Sequence, residues 1–149
     1  MQHFILKHFN ELTVQELYDA LQLREAVFQI EQDCIYKDID DKDKFCWHLL
    51  LYDDALLLAY CRLVPKQISY DAYVSIGRVV SKTEKRKTGL GRKLLDEAML
   101  QMQQLFPNEP IKISAQLYLQ KFYESYGFVA VGEWYIEDKL PHIAMIKNN

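Results

Sequence analysis

The sequence predicts a single mixed α/β (α+β) domain over residues 1–149, in which a mostly antiparallel sheet is flanked by helices. Two observations support this prediction. Half of the residues are hydrophobic, which is enough to build one sizeable core in a chain of 149 residues. Strand-like and helix-like patterns also follow one another in the order strand, helix, three strands, helix, strand, helix and two strands.

The N-terminal part of the chain predicts one strand, one helix and a long loop. Residues 4–9 alternate as in a strand. Residues 13–16 have the capping-box form, with Thr first and Glu last, so a helix is expected to begin there and to end near Ile30. Residues 31–45 are polar and acidic and show no sustained period, and their length favours a functional loop.

The remainder of the chain predicts a hairpin, a central strand, a long helix and a terminal strand pair. Apolar runs at 47–52 and 55–64 are separated by the turn-forming Asp53-Asp54, which indicates the hairpin. In the helix, apolar residues recur on one face. The other predicted elements are a strand at 73–81, the long helix at 90–105, a strand at 111–115, a short helix at 118–126 and strands at 128–135 and 142–146.

Composition excludes several classes of protein. A net charge of −3 and a pI near 5.8 give no electrostatic case for general nucleic-acid binding. Cys34, Cys46 and Cys61 are too widely spaced for a paired-cysteine metal site, and we expect all three to be reduced. No apolar run is long enough for a signal-peptide core or a membrane span, so we expect a soluble, cytoplasmic protein with no membrane partner.

The turn between the strand at 73–81 and the helix at 90–105 contains glycine and is basic. It reads Arg86-Lys87-Thr88-Gly89-Leu90-Gly91 and directly follows Lys85. Backbone N–H groups at a helix start attract anions, and glycine lets a ligand approach the backbone closely, so a phosphate is the predicted ligand. The spacing matches neither a P-loop nor a dinucleotide fingerprint. The alternative is an ordinary helix start with a basic first turn.

This Arg-x-x-Gly-x-Gly pattern after a strand resembles the pyrophosphate-binding signature of the GNAT superfamily of acyl-CoA-dependent N-acetyltransferases. Residues 116–128, with Phe122-Tyr123 and Gly127-Phe128, resemble a second region of that superfamily. Within that superfamily the chain resembles the ElaA-like subgroup, from which it departs at Ile35, where proline is expected, and at 81–83, where Val-Ser-Pro is more usual. The segments that look like the ElaA-like subgroup are 31–40, 76–80, 115–116 and 141–145. The resemblance therefore covers essentially the whole chain.

The resemblance implies a GNAT-type domain that binds acetyl-CoA as co-substrate along the open edge of strand 73–81, where that strand splays from strand 111–115. Backbone groups of Val79, Val80 and Ser81 would bind the pantetheine arm, and one N–H of this segment, which we assign to Val80, would stabilise the oxyanion. Gln116 would also bind the pantetheine, with helix capping as the competing explanation. The residues implied to wrap the pyrophosphate are Arg86, Lys87, Thr88, Gly89, Leu90, Gly91 and Arg92.

The resemblance implies that Tyr123 contacts the bound co-substrate at its thioester sulfur and is the general acid, because a phenol can protonate the departing thiolate; core packing is the alternative. The implied mechanism is direct attack by the amine, with no covalent enzyme intermediate and no metal. No acidic residue occupies strand 73–81, where many relatives place the general base. We therefore favour His142 and Glu133 as the base, while a water chain remains possible. Other candidates for the base are Glu31, Asp33 and His48.

The acceptor side of the predicted site is less constrained. Arg78 would lie beside the cleft, where it could hold an acidic loop residue or a substrate carboxylate. The acidic segment 31–45 would attract a cationic amine. Its aspartates do not have the glycine and terminal glutamate of a calcium loop, which argues against a metal. The predicted substrate residues are Glu31, Asp33, His48 and Arg78.

The sequence thus predicts an acetyl-CoA-dependent N-acetyltransferase that acts on a primary amine of a small molecule or peptide. A non-catalytic acyl-CoA-binding or sensing module with the same cleft is the alternative. The expected partners are acetyl-CoA and the amine substrate, with no nucleic acid, and we expect a monomer or homodimer.

Overall fold

The computed structural model describes residues 1–85 and 88–148, and it confirms the predicted class and order of elements. The bounds differ from those predicted by a few residues, as is usual for strand and helix ends. The elements are β1 (Gln2–His8), α1 (Val14–Arg24), β2 (Trp47–Asp53), β3 (Leu56–Val64), β4 (Ser75–Ser81), α2 (Leu90–Leu105), β5 (Ile111–Gln116), α3 (Gln120–Glu124), β6 (Val129–Glu137) and β7 (Leu140–Lys147).

The strands form two antiparallel sheets rather than one continuous sheet. The first has the order β1-β2-β3-β4, and the second has the order β5-β7-β6. A single parallel bridge between Val74 and Ile111 joins them, with the Val74 N–H donating to the Pro110 carbonyl at 3.3 Å. Beyond this bridge β4 and β5 diverge. A register shift in the β3–β4 pair opposite Cys61 marks a bulge, and bulges bend the strand that carries them.

The first sheet is covered on both faces by helices. On β2, Leu49 and Leu51 belong to the core beneath α2, whereas Leu50 and Tyr52 belong to the core beneath α1. This alternation follows from the period of two along a strand. Because β2 and β3 are buried on both sides, each reads as an almost continuous apolar run in the sequence.

Helix α1 begins with the capping box that the sequence predicted. The Glu16 N–H donates to Thr13 Oγ1 at 3.1 Å, and the Thr13 N–H donates to Glu16 Oε1 at 2.8 Å. The α-helix then passes into a π-helical segment over Glu25–Glu31, so helical structure ends one residue after the predicted Ile30. In the described parts of the chain, no helix is long and apolar enough to span a membrane.

The C-terminal elements are arranged differently in detail from the sequence prediction. Helix α3 is shorter than predicted, because a 3-10 turn over Leu117–Leu119 precedes it. The β6–β7 hairpin is longer than predicted and turns at Asp138 and Lys139, which both have positive φ. A bulge between Val131 and Tyr135 shifts its register. These differences decide which side chains face the gap between the sheets.

Candidate functional site

The divergence of β4 from β5 opens a cavity of about 790 Å³ between the two sheets. One edge of β4 faces β5. Among residues 1–85 and 88–148, this edge makes no backbone hydrogen bond to another strand beyond Val74. Such an edge presents unpaired N–H and C=O groups that an extended ligand can pair with. The predicted site residues that line the cavity are Arg78, Val79, Val80, Ser81, Gly91, Gln116, Tyr123 and His142.

The N-terminus of α2 forms one wall of this cavity. Gly89 lies in the left-handed region with φ +83, and its carbonyl accepts from the Lys93 N–H at 3.0 Å as the helix begins. Leu90 is buried in the core, while Gly91 faces the cavity. The first N–H groups of any helix have no partner within the helix, so this wall offers donors to an anion.

Three residues of the predicted pyrophosphate loop need separate comment. Arg86 and Lys87 lie outside the described residues. The guanidinium of Arg92 lies 5.1 Å from the Phe122 ring centroid, and its Nη1 donates to Ser125 Oγ at 3.2 Å. Arg92 therefore packs on α3, beside the start of α2, and its role with a phosphate stays a prediction.

Tyr123 lies in the cavity wall with only 6% of its surface exposed. Its ring packs edge-on against Phe122 and Phe128, with centroids 5.3 and 6.0 Å away. No described residue hydrogen-bonds its hydroxyl, so the O–H is available to a ligand. Burial raises the pKa of Tyr123 well above its ordinary value, and nearby Cys61 and Tyr118 add to the effect. The phenol is therefore held protonated, as a proton donor must be.

Gln116 does not cap the turn that follows it. Its side chain makes no capping hydrogen bond and instead exchanges hydrogen bonds with the Gln32 side chain, at 3.3 and 3.4 Å. The capping explanation is therefore wrong. The pair joins β5 to the end of the π-helical segment at the edge of the cavity.

A buried ionic cluster holds the loop at 31–45 against the first sheet. Arg24, at the end of α1, is 1% exposed and places Nε 2.8 Å from Asp38 Oδ2 and Nη1 2.9 Å from Asp43 Oδ1. Its Nη2 also donates to the Asp38 carbonyl at 2.8 Å. Sequence reasoning missed this arrangement, because Arg24 reads there as an ordinary position of the helix.

Two further arginines complete the cluster. Arg62 on β3 binds both carboxylate oxygens of Asp40, at 2.8 and 2.7 Å, and also binds Asp43 at 2.9 Å. Arg78 Nε lies 2.8 Å from Asp38 Oδ1. Burial opposes ionisation of Asp40 and Asp43, but the hydrogen bonds and charges of the arginines prevail and lower both pKa values.

The cluster corrects the prediction that this acidic segment attracts a cationic amine. Its carboxylates Asp38, Asp40 and Asp43 are already neutralised by arginines. Arg78 holds acidic loop residues, which is one of the two roles predicted for it.

His48 is not a substrate residue or a base. It is 1% exposed and does not line the cavity. Its Nε2 lies 2.9 Å from the Asp43 carbonyl and its Nδ1 lies 2.7 Å from the Tyr60 hydroxyl, so Nε2–H donates and Nδ1 accepts. Burial lowers the pKa of His48, which keeps it neutral.

Three predicted acidic residues also lie outside the main cavity. Glu133 is exposed within the β6 bulge and does not line the cavity. Asp33 is exposed in the loop with φ +49. Glu31 accepts a hydrogen bond from Thr83 Oγ1 at 3.1 Å and lines a smaller neighbouring pocket. Glu133 and Asp33 are therefore poorly placed to take a proton in the cavity.

His142 is the one predicted base that the structure places in the cavity wall. It pairs directly with Gln116 on β5 and with Tyr135 on β6. Glu137, two residues beyond Tyr135, lines the same cavity and was missed by the sequence analysis. The turn at Asp138 and Lys139 is the signal that could have found it, because that turn fixes the register of the hairpin.

No group of three or more His, Cys, Asp or Glu side chains that could hold a metal occurs among residues 1–85 and 88–148. Cys34, Cys46 and Cys61 are all buried, and none of them is disulfide-bonded. Cys34 Sγ donates to the Asp138 carbonyl at 2.7 Å, which ties the loop to the turn of the β6–β7 hairpin.

Full-length similarity to known proteins agrees with this geometry. A crystal structure of an acyl-CoA N-acyltransferase from Pseudomonas aeruginosa superposes with a TM-score of 0.93 at 42% identity, covering 99% of each chain. A UPF0039 protein of Schizosaccharomyces pombe is 42% identical over 144 residues, covering 95% of this chain and 94% of that protein. Protein ElaA of Escherichia coli is 39% identical over 142 residues, covering 94% and 92%. Fold and similarity together define an acyltransferase.

The family assignment is specific. A family profile described as an acetyltransferase (GNAT) domain matches residues 9–149. The chain therefore belongs to the GNAT acetyltransferase family, and the predicted resemblance to its ElaA-like members is confirmed.

Proposed function

We propose that this protein transfers an acetyl group from acetyl-CoA directly to a primary amine of a small molecule or peptide. The observation that carries the proposal is the opening between β4 and β5, where an unpaired strand edge, a helix N-terminus and the Tyr123 phenol meet at one cavity. Membership of the GNAT family supports the use of acyl-CoA.

In this proposal acetyl-CoA takes the place of a missing strand beside β4. The amide-rich pantetheine arm pairs with backbone groups of Val79, Val80 and Ser81, and Gln116 contributes from the opposite side. The pyrophosphate lies at the start of α2, where the helix dipole and free N–H groups favour an anion. The residues proposed to surround it are Arg86, Lys87, Thr88, Gly89, Leu90, Gly91 and Arg92.

The chemical step is attack of the amine lone pair on the thioester carbonyl carbon. The oxyanion that forms is stabilised by a backbone N–H on β4, which we assign to Val80. The carbon–sulfur bond then breaks and Tyr123 protonates the departing thiolate. His142 takes up the proton that the amine must lose, since it is the favoured base that lines the cavity.

The experiment that tests this proposal is thiol release from acetyl-CoA by the purified protein. The acceptors are polyamines, amino acids, aminoglycosides and short peptides, with CoA binding measured by calorimetry and products identified by mass. Thiol release that depends on an amine, with an N-acetylated product of matching mass, is the expected result. Tight CoA binding without acetylated product across the panel would instead favour the acyl-CoA-sensing alternative.

A further inference from the structure

One face of the second sheet gathers polar side chains at the acceptor end of the cavity. His142 pairs directly with Gln116 on one side and Tyr135 on the other. Paired residues share a face, and so do residues two apart on a strand, so Ser114 and Glu137 lie on this face as well. Together with Tyr70, which lines the same cavity, these residues form what we call the acceptor cluster: Tyr70, Ser114, Tyr135, Glu137 and His142.

Glu137 is the carboxylate of this cluster. Ser114 Oγ donates to Glu137 Oε2 at 3.0 Å, and Ser114 Oγ also hydrogen-bonds the Tyr135 hydroxyl. Among the described residues, the only cation-forming side chain within 4 Å of Glu137 is His142, with Nε2 at 3.6 Å. Whereas the loop aspartates are bound by arginines, Glu137 keeps its charge available to a ligand.

Two tyrosine rings belong to the same cluster as that carboxylate. Tyr135 stacks on His142 with ring centroids 6.3 Å apart. Tyr70 lines the same cavity as Glu137. Burial raises the pKa of Tyr70 to about 12, with Tyr135 and Glu137 adding to the effect. The Tyr70 ring already holds the Lys112 ammonium, with Nζ 4.9 Å from its centroid. Rings combined with a carboxylate are a favourable environment for an organic cation.

The orientation of His142 is fixed by its neighbours. The residue is 8% exposed and its Nδ1 lies 2.8 Å from the Leu140 carbonyl, which can only accept, so Nδ1 carries a proton. In the neutral ring the lone pair is therefore on Nε2, which makes no hydrogen bond with a described residue. An ammonium nitrogen can lie about 2.9 Å from both Nε2 and Glu137 Oε2, because those atoms are only 3.6 Å apart.

We propose that the acceptor enters this cavity in its ammonium form, held by Glu137, and loses its proton to His142 Nε2 only after it is bound. This inference rests on the proposed function and adds a substrate-binding residue, Glu137, to it. The ammonium loses one proton to His142, which passes it to solvent. The nitrogen loses a second proton when the amide forms, and this proton replaces the one that Tyr123 gives to the thiolate, so one proton is released per turnover.

The dependence of KM on pH distinguishes this order of events from binding of the free amine. Below the pKa of the acceptor, the neutral fraction rises about tenfold per pH unit, so an enzyme that binds only the neutral amine shows a KM that falls about tenfold per unit. We expect the wild-type KM for total amine to stay flat from pH 6 to 8 while kcat rises. A KM that falls in step with the neutral fraction would overturn the proposal.

Two substitutions separate the roles of the charged groups. Glu137→Gln should raise KM for the amine by about tenfold to a hundredfold, the size expected for one charge-assisted hydrogen bond, and leave CoA affinity unchanged. His142→Gln should lower kcat at least about a hundredfold and abolish its rise with pH. Glu97→Gln, which removes a carboxylate hydrogen-bonded to Gln101 on α2, is the control with no expected change. Unaltered amine KM in Glu137→Gln would exclude Glu137.

A measurement without turnover keeps this inference distinct from the proposed function. Calorimetry of spermidine binding to the CoA-loaded protein, repeated in buffers of different ionisation enthalpy, counts the protons released on binding. We expect no proton release by wild type and at least about tenfold weaker binding by Glu137→Gln. Release of one proton, absence of binding, or equal affinity in both proteins would overturn the inference, whatever the outcome of the thiol-release assay.

Discussion

Arg78 Nε, on strand β4, lies 2.8 Å from Oδ1 of Asp38, in the loop at 31–45. The contact depends on the backbone of β4, where Arg78 has φ +50 at the bulge and so departs from the regular alternation of side chains. Arg24 binds the other carboxylate oxygen of Asp38 at 2.8 Å. One aspartate therefore joins the end of α1, the loop at 31–45 and the bulged strand that borders the cavity.

Removal of Arg24 tests how much this cluster stabilises the fold. Arg24→Ala leaves the Asp38 and Asp43 carboxylates buried with one cation fewer, and we expect a loss of about 3–5 kcal/mol in the free energy of unfolding, measured with urea. Lys44→Ala removes an exposed ion pair with Asp41 and should cost less than about 1 kcal/mol. Equal losses in the two variants would show that the buried cluster contributes no more than a surface pair.

The same cluster predicts how stability depends on pH. The pKa values of Asp40 and Asp43 are lowered in the folded protein. Their contribution to the free energy of unfolding is therefore complete above the unfolded pKa of 3.8, and it is lost as the pH falls from there through the folded pKa values. The free energy of unfolding measured with urea should therefore contain a nearly constant contribution from these two residues above about pH 5, and that contribution should decline below about pH 4. In Arg62→Met the decline should be shallower, because that variant removes a cation that lowers both pKa values.

Gly91 allows folding and ligand binding to be tested separately. An added Cβ would meet only Phe122 Cζ, at 3.9 Å, which is an ordinary contact. Alanine inside a helix is favoured over glycine, so Gly91→Ala should stabilise the protein by about 0.5–1 kcal/mol. Because Gly91 lines the cavity where we place the pyrophosphate, the same variant should weaken CoA binding at least about tenfold.

Gly89→Ala is the matched comparison for that variant. A Cβ on Gly89 would meet nothing within 4 Å, but φ +83 is strained for alanine. We expect a loss of about 1–2 kcal/mol in the free energy of unfolding. Thermal unfolding and calorimetric titration with CoA measure both effects. Unchanged CoA affinity in Gly91→Ala would place the pyrophosphate elsewhere.

The features that could be predicted from the sequence are those in which local physics and periodicity agree. The Thr13 to Glu16 capping box, the apolar face of α2 and the glycine turn at its start each depend on neighbours within a few residues. The opening between β4 and β5 was expected from the resemblance to the GNAT family, and the position of the co-substrate in it stays a prediction.

The acceptor side could not be predicted because it depends on register and on ion pairs between distant parts of the chain. Glu137 faces His142 only through the hairpin turn at Asp138 and Lys139, and a shift of one residue would turn it away. The partners of Arg24 lie 14 and 19 residues along the chain, in a loop with no periodicity. Charge alone suggested that the loop aspartates were free for substrate, whereas burial required them to be paired.

Tyr123 provides the sharpest test of the proposed chemistry. Tyr123→Phe removes only a hydroxyl that no described residue hydrogen-bonds, so the free energy of unfolding should change by less than about 1 kcal/mol. CoA affinity should be unchanged, since the proposed contacts that hold CoA come from β4, α2 and Gln116 on β5. In contrast, kcat should fall about 10²- to 10⁴-fold, the usual contribution of a general acid.

The pH profile of kcat gives an independent check of the same residue. The acid must be protonated to act, and burial raises the pKa of Tyr123 well above the ordinary value of a tyrosine. Activity should therefore show no alkaline loss from this phenol up to about pH 10. Tyr18→Phe, on the exposed face of α1, is the control and should match wild type in kcat. If Tyr123→Phe also matched wild type, the thiolate would be protonated by another group or by water.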